Sequence, residues 1–326
     1  MTKFCLAAMR TLTLGMLLAI AGSATGQQAY PTKAIHFIVP YPPAGSTDPM
    51  ARMVAQKLAS KWGQPVIVDN RPGGNTIIGT EIVAKAAPDG YTILLASPIF
   101  VASPGLLPLP YDTIKDFTPV ATIAKNQIVL VLNPALPANS LKEFIALAKS
   151  KPGQLNYAST GVGGIVHLSA ELFCMMTGTK LQHIPYKGAV PLMTDLIGGQ
   201  VDLSFQTTIA TIPHIRSGKI KAIAVTGDRR LSALPEVPTY AEAGLPGYGI
   251  AGWMGIVAPA GTPKPITDKI SNEVAAILAM PEIVEYLAKQ GMEPFVSTPA
   301  QFAALIKSEI AMYTKIIKTA NVKLDQ

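Results

Sequence analysis

The chain has 326 residues, 49% of them hydrophobic and only 14% charged, with a formal net charge of +7. That length supports about two domains and a sizeable core, and so little charge excludes a mainly disordered chain, a coiled coil or a charge-driven nucleic-acid binder. The 27 glycines and 28 prolines are spread along the chain, which points to many tight turns rather than low complexity.

Lys3 and Arg10 make a basic start, residues 12–21 are an apolar run, and small residues follow to Gly26. This is the pattern of an export signal, and the run is too short to span a bilayer, which takes ~20 residues. Residues 1–26 are expected to be a signal peptide cleaved near Gly26, leaving an exported protein without a membrane span. Cys5 leaves with the signal, so Cys174 remains alone and no internal disulfide is expected. In Leu172-Phe173-Cys174-Met175-Met176 it reads as a buried core thiol. The later positive charges are scattered, with Arg229-Arg230 the only adjacent pair, so no nucleic-acid partner is expected.

Residues 35–40 form a short β-rich run stopped by proline, and the turn 41–47 follows. Asp48-Pro49 then starts a helix through about Lys61, with Asp48 as N-cap, Pro49 at the first position and Met50, Val54 and Leu58 on one face. A strand (65–69), a glycine loop (71–75) and a helix to about Ala87 come next. The turn Pro88-Asp89-Gly90 leads to a strand over 91–96. Residues 104–110 read as an irregular connection, and 120–132 as one long extended run. Helix 141–150 is capped by Ser140, with Glu143 at the reciprocal capping-box position. Strand 155–158, a second glycine loop (159–164) and helix 165–176 repeat the opening pattern. Strand 181–185, a loop at Lys187-Gly188, helix 190–197 and strands 201–205 and 220–225 follow. After the turn-rich 234–249 come strand 253–257, helices 266–279 and 282–289, and a last helix from about Ala300. Strands alternating with helices predict parallel sheets with crossover helices. Two strand–glycine-loop–helix units, with crossover segments near 120–132 and 250–258, predict two α/β lobes around a cleft, the second inserted into the first.

Residues suited to catalysis are few. His36, His167, His183 and His214 lack zinc-ligand spacing, and His36, His167 and His183 are assigned structural roles. Neither a GxSxG elbow nor a Walker-type Gly-Lys-Ser/Thr occurs. Gly247, Gly249 and Gly252 spell a dinucleotide fingerprint, but a strand rather than a helix should follow it, so no nucleotide site is expected. No catalytic residue, metal or cofactor is assigned. The two glycine loops are better candidates, because each leads into a helix N-terminus whose free N–H groups favour an anion by roughly 0.3–1 kcal/mol. Facing each other across a cleft, they suit a small carboxylate; ordinary tight turns are the alternative reading of the same residues.

At these residues the sequence resembles the Bug, or TctC-like, family: periplasmic solute-binding receptors of tripartite tricarboxylate transporters. The resemblance is carried by Val39-Pro40-Tyr41 through Asp48 with Ala51-Arg52, by Asn70-Arg71-Pro72-Gly73, and by Pro88-Asp89-Gly90-Tyr91-Thr92. It continues through Tyr157-Ala158-Ser159 with Gly161, Gly163 and His167-Leu168, through Tyr186-Lys187-Gly188 and Gly198-Gly199-Gln200-Val201. Pro213-His214-Ile215 with Ser217-Gly218-Lys219, and Pro259-Ala260-Gly261-Thr262-Pro263, extend it over nearly the whole mature chain. The resemblance implies an α/β, two-lobed periplasmic binding protein (Venus flytrap) fold with a ligand cleft between the lobes. Residues 27–126 and 251–326 would form lobe 1, and 127–250 lobe 2.

It further implies a monomeric receptor, not an enzyme, that passes a small carboxylate (a di- or tricarboxylate, an acidic amino acid or an aromatic acid) to membrane permease subunits. The implied ligand contacts are Tyr41, Ala44, Gly45, Ser46, Thr47 and Asp48 from the first lobe. From the second come Ser159, Thr160, Gly161, Gly163 and Gly164, with Ser97 and Phe205 added. Three departures from the family pattern bear on ligand identity more than on ligand class. Ala44 replaces the first glycine of a pair, Gly73-Gly74-Asn75-Thr76 replaces a longer-glycine pattern, and Gly164 stands where serine is common. The alternatives are an exported hydrolase using the same cleft, marked by a nucleophile–base pair there, and a receptor presenting its ligand to a membrane sensor kinase.

Overall fold

Strand β1 (Ile35–Val39) sends Ile35, Phe37 and Val39 into one apolar cluster and Ile38 into another, the period of two that an extended chain imposes. The computed structural model describes residues 30–43, 47–289 and 291–324, so the expected signal peptide lies outside the described residues. After β1 come α1 (Asp48–Trp62), β2 (Val66–Asn70), a single 3-10 turn (Gly74–Thr76), α2 (Ile77–Ala84), β3 (Thr92–Ala96) and α3 (Pro98–Leu106). Strand β4 (Phe117–Asn126) is followed, after Gln127 alone, by β5 (Ile128–Leu132). The chain continues through α4 (Leu141–Ser150), β6 (Asn156–Ser159), α5 (Ile165–Thr177), β7 (Gln182–Pro185) and α6 (Ala189–Gly198). Then come β8 (Leu203–Thr207), α7 (Thr208–Arg216), β9 (Lys221–Val225), β10 (Gly252–Pro259), α8 (Lys264–Leu278), α9 (Pro281–Lys289), β11 (Glu293–Pro294) and α10 (Pro299–Thr319).

Two sheets result. The first has six strands in the order β11-β4-β10-β3-β1-β2, with β1 parallel to β2 and β3, and β10 antiparallel to β3 and β4. The second has five, β7-β6-β8-β5-β9, with β6 parallel to both neighbours and β5 antiparallel to both of its own. The first sheet draws its strands from both ends of the chain and the second from the middle. The fold is therefore α/β and two-lobed, and the apolar cluster on one face of the second sheet runs on into the first through Phe302, Tyr313 and Ile316 of α10.

Several expectations are refined. Residues 120–132 are not one strand: the ladder changes sheets at Gln127, whose O accepts from Thr208 N–H at 3.2 Å while Thr226 Oγ1 accepts from Ile128 N–H at 2.8 Å. Helix α3 starts before the proline-rich stretch, with Pro98 in its first turn and Pro104 near its end, where one ladder bond is forfeited. Helix α7 was not expected either, since Thr208 and Thr211 are poor helix formers and Pro213 lies inside it. Thr47, not Asp48, is the N-cap of α1; Asp48 is already helical and its carboxylate accepts from Arg52 Nε and Asn70 Nδ2, each at 2.9 Å. Ser140 caps α4 as expected, while Glu143 reaches past it to accept from Asn139 N–H at 2.8 Å. Gly252 opens a strand, so the fingerprint 247–252 has no helix behind it.

Candidate binding cleft

The carboxyl ends of parallel strands are where an open α/β sheet places its ligands, and here those ends face one cleft. Tyr41 follows β1, Ser97 follows β3, and Asn126 and Thr207 end β4 and β8. One part of the cleft, of about 580 Å³, is lined by Tyr41, Thr47, Thr76, Ser97, Thr160 and Gly164 among others. A second part of about 300 Å³ shares Thr47, Ser97, Pro98 and Ile165 with it and adds Asn126, Ala189, Thr207 and Trp253.

Five helices begin at this cleft. Thr47, Ser97, Gly164 and Thr207 are the N-caps of α1, α3, α5 and α7, and Ala189 is the first residue of α6. No side chain closes any of these caps, so the first-turn N–H groups lack helical partners and carry the positive ends of the helix dipoles. Pro49, Pro98 and Pro191 supply no N–H, and those of Phe100 and Thr208 are already bonded, to Ser97 O and Gln127 O. Among the described residues, no lysine, arginine or histidine lines either part of the cleft. The arrangement favours an anion held by main-chain N–H groups and hydroxyls.

The first loop is braced from below. Asn70 Nδ2 donates to Tyr41 O at 3.1 Å and to Asp48, and Arg52 Nη2 donates to Asn70 Oδ1 at 3.0 Å. The hydroxyls of Tyr41 and Ser97 are hydrogen-bonded to each other, and burial pushes the Tyr41 phenol well above its ordinary range. The turn after β2 holds Gly73, Gly74, Asn75 and Thr76 all at positive φ, from 54° to 123°. For β-branched Thr76 this is strained backbone, of the order of 1–3 kcal/mol.

The candidate contacts divide accordingly. Tyr41, Thr47, Ser97, Thr160 and Gly164 line the cleft. Ala44, Gly45 and Ser46 lie outside the described residues. Asp48 turns its carboxylate to Arg52 and Asn70. Ser159 is fully buried, its Oγ bonded to His183 and to Gly161. Gly161 stands at φ 138° between Ser159 and the cleft-lining residues. Gly163 packs away from the cleft: a Cβ there would lie 2.9 Å from Leu106 Cδ1, and its N–H donates to His167 Nδ1 at 3.0 Å. Phe205 is fully buried against Phe173 and Tyr248 in the lobe core. Asn126, Ala189, Thr207 and Trp253 are not among the contacts expected from the sequence, since they lie outside the two glycine loops; the strand-end rule would have found Asn126 and Thr207. Cys174 is half-buried rather than a fully buried core thiol, and that burial still pushes its pKa up to about 11, which suits an inert thiol.

Residues 50–322 match the family described as "Tripartite tricarboxylate transporter family receptor". Protein BugT of Bordetella pertussis is 39% identical over 316 residues, covering 95% of this chain and 97% of that protein. Among solved structures, R. palustris Rpa4515 with adipate is 36% identical with a TM-score of 0.76, covering 91% of this chain and 100% of that one. MatC from Rhodopseudomonas palustris, with bound malate, is 31% identical with a TM-score of 0.72, covering 88% and 100%. Such proteins are binding receptors rather than enzymes. With its two lobes, its cleft of helix starts and this match over most of its length, the chain belongs to the tripartite tricarboxylate transporter receptor family.

Proposed function

We propose that the protein is a periplasmic receptor that captures a small dicarboxylate between its lobes and delivers it to the membrane permease subunits of a tripartite transporter. The observation that carries this reading is the convergence of five uncapped helix starts on a cleft without a cationic side chain. Adipate and malate, bound by two relatives, are both dicarboxylates, which supports the choice of class. Lobe 1 is taken as residues 27–126 and 251–326 and lobe 2 as 127–250, so that the chain crosses between them at Gln127 and near Ala251. The ligand contacts are assigned to Tyr41, Thr47, Ser97, Thr160 and Gly164, with Asn126 and Thr207 added and Ala44, Gly45 and Ser46 completing the first loop. Export follows from the signal read in residues 1–26; among the described residues no helix is long and apolar enough to cross a membrane.

The test is a thermal-shift screen of the mature protein against adipate, malate, citrate, aspartate and benzoate, followed by calorimetry. A dicarboxylate that raises the melting temperature and binds with one-to-one stoichiometry is the expected result. Binding of neutral or cationic solutes in preference to every carboxylate would overturn the reading.

A further inference from the structure

Beneath the second glycine loop lies a pair of stacked histidines from different elements. The rings of His167 on α5 and His183 on β7 stand 3.9 Å apart at 12°, and Tyr157 of β6 stacks on His183 at 4.9 Å. Each histidine grips the loop at a different place. His167 Nδ1 accepts from Gly163 N–H at 3.0 Å, so its proton resides on Nε2, 3.7 Å from Glu171 Oε1. His183 Nε2 is 2.6 Å from Ser159 Oγ, which donates to Gly161 O at 3.1 Å and accepts from Gly161 N–H at 3.2 Å. The residues gripped are not cleft contacts, but they alternate with those that are: Thr160 and Gly164 line the cleft.

We propose that His167 and His183 are positioning residues that hold the second glycine loop in its ligand-receiving shape, and that protonation of His167 releases it. A protonated Nδ1 would set one N–H against the N–H of Gly163 and delete the bond that fixes the loop. His183 cannot share the charge, since two imidazoliums stacked this closely repel; burial and His167 push its pKa down to about 4. The other titratable groups packed around the pair are Tyr157, Glu171 and Cys174. Burial keeps the phenol and the thiol protonated at neutral pH. Burial works against the charged form of Glu171, yet hydrogen bonds from His167 and Tyr157 hold it below its ordinary value, so it remains the local anion. A proton on His167 Nδ1 should therefore loosen the loop and weaken capture.

The binding arm of the test rests on the carboxylate-receptor reading; the loop arm does not. Hydrogen exchange of the 159–164 amides is measured in ligand-free protein, and adipate is titrated by calorimetry, from about pH 8 to about pH 5. The proteins are wild type, His167→Asn, which keeps an acceptor oxygen near the place of Nδ1 but does not titrate, and His167→Leu, which removes it. In the wild type, exchange at the loop, corrected for intrinsic rates, should rise and affinity fall on acidification. His167→Asn should keep the loop protected and show a flatter profile than wild type, by about threefold or more over the range. His167→Leu should exchange rapidly at every pH and bind about tenfold or more weakly. Equal loop exchange and parallel pH profiles in all three proteins would overturn the proposal. If the wild type ignores adipate and malate alike, the dicarboxylate reading is what fails, and loop exchange alone decides the role of the histidines.

Discussion

Glu309 of α10 lies almost wholly buried behind the cleft wall, where Trp253 Nε1 donates to its Oε2 at 2.7 Å. Burial pushes its carboxyl up from an ordinary 4.5 to about 7, the tryptophan bond opposing only part of the rise. A carboxyl raised in the folded state contributes its full stability below the unfolded value and loses it as pH climbs through the folded one. The loss is of the order of 3 kcal/mol above pH 7. Glu309→Gln keeps an acceptor for Trp253 and removes the charge, so its melting temperature should exceed that of the wild type at pH 8 and converge with it near pH 5. Equal differences at both pH values would contradict the assignment. A cation, by contrast, should matter little to capture. Lys187 is exposed and absent from the cleft wall, and Lys187→Met should leave dicarboxylate affinity within about twofold, checked by calorimetry. At this scale the sequence pointed to the cleft-lining Tyr41, Thr47, Thr160 and Gly164 through the two glycine loops, and to Ser97 through its place at a strand end. It hid the histidine stack, since His167 and His183 meet only once α5 and β7 are folded against each other.

At the scale of elements, Gly163 shows why a motif glycine need not touch the ligand. It stands at φ 75° where Leu106 of α3 and Leu324 close over it, so a side chain there meets packed methyl groups and a backbone it disfavours. Gly163→Val should lower the melting temperature by several degrees, in line with about 1–3 kcal/mol of overpacking. Any loss of affinity should follow from the displaced loop rather than from blocked access. A variant that melts like the wild type yet binds more than about tenfold worse would restore Gly163 to direct contact. Helices with an apolar face and clear punctuation were legible: α1 begins at Asp48-Pro49, α4 after its Ser140 cap and α5 after a glycine loop. Helices α3 and α7 were not, because proline and threonine argue locally against them and only their place after β3 and β8 makes them form.

For the whole molecule, two lobes and two crossings were legible from the repeated strand–loop–helix units, whereas strand order and the change of sheet at Gln127 depend on long-range pairing that periodicity does not carry. With one residue between β4 and β5, the chain has only a few backbone angles to turn through at that passage between the sheets. A ligand touching helix starts on both lobes binds the closed arrangement better and shifts the population towards it. Small-angle scattering should show the radius of gyration falling when a tight dicarboxylate saturates the protein. A radius unchanged at saturation, in a protein whose cleft is open without ligand, would count against closure.

The five helix starts also bear on how such receptors diversify. Because N–H groups belong to the main chain, almost any substitution at a cleft position leaves the affinity for negative charge in place. On the proposed reading, changes at Thr47, Ser97, Thr160 and Thr207 should alter which acid is preferred more than whether an acid is bound at all. New specificities are reached by small steps at the cap positions, and a lineage built this way should be rich in paralogues that differ in their acids and agree in their helix starts.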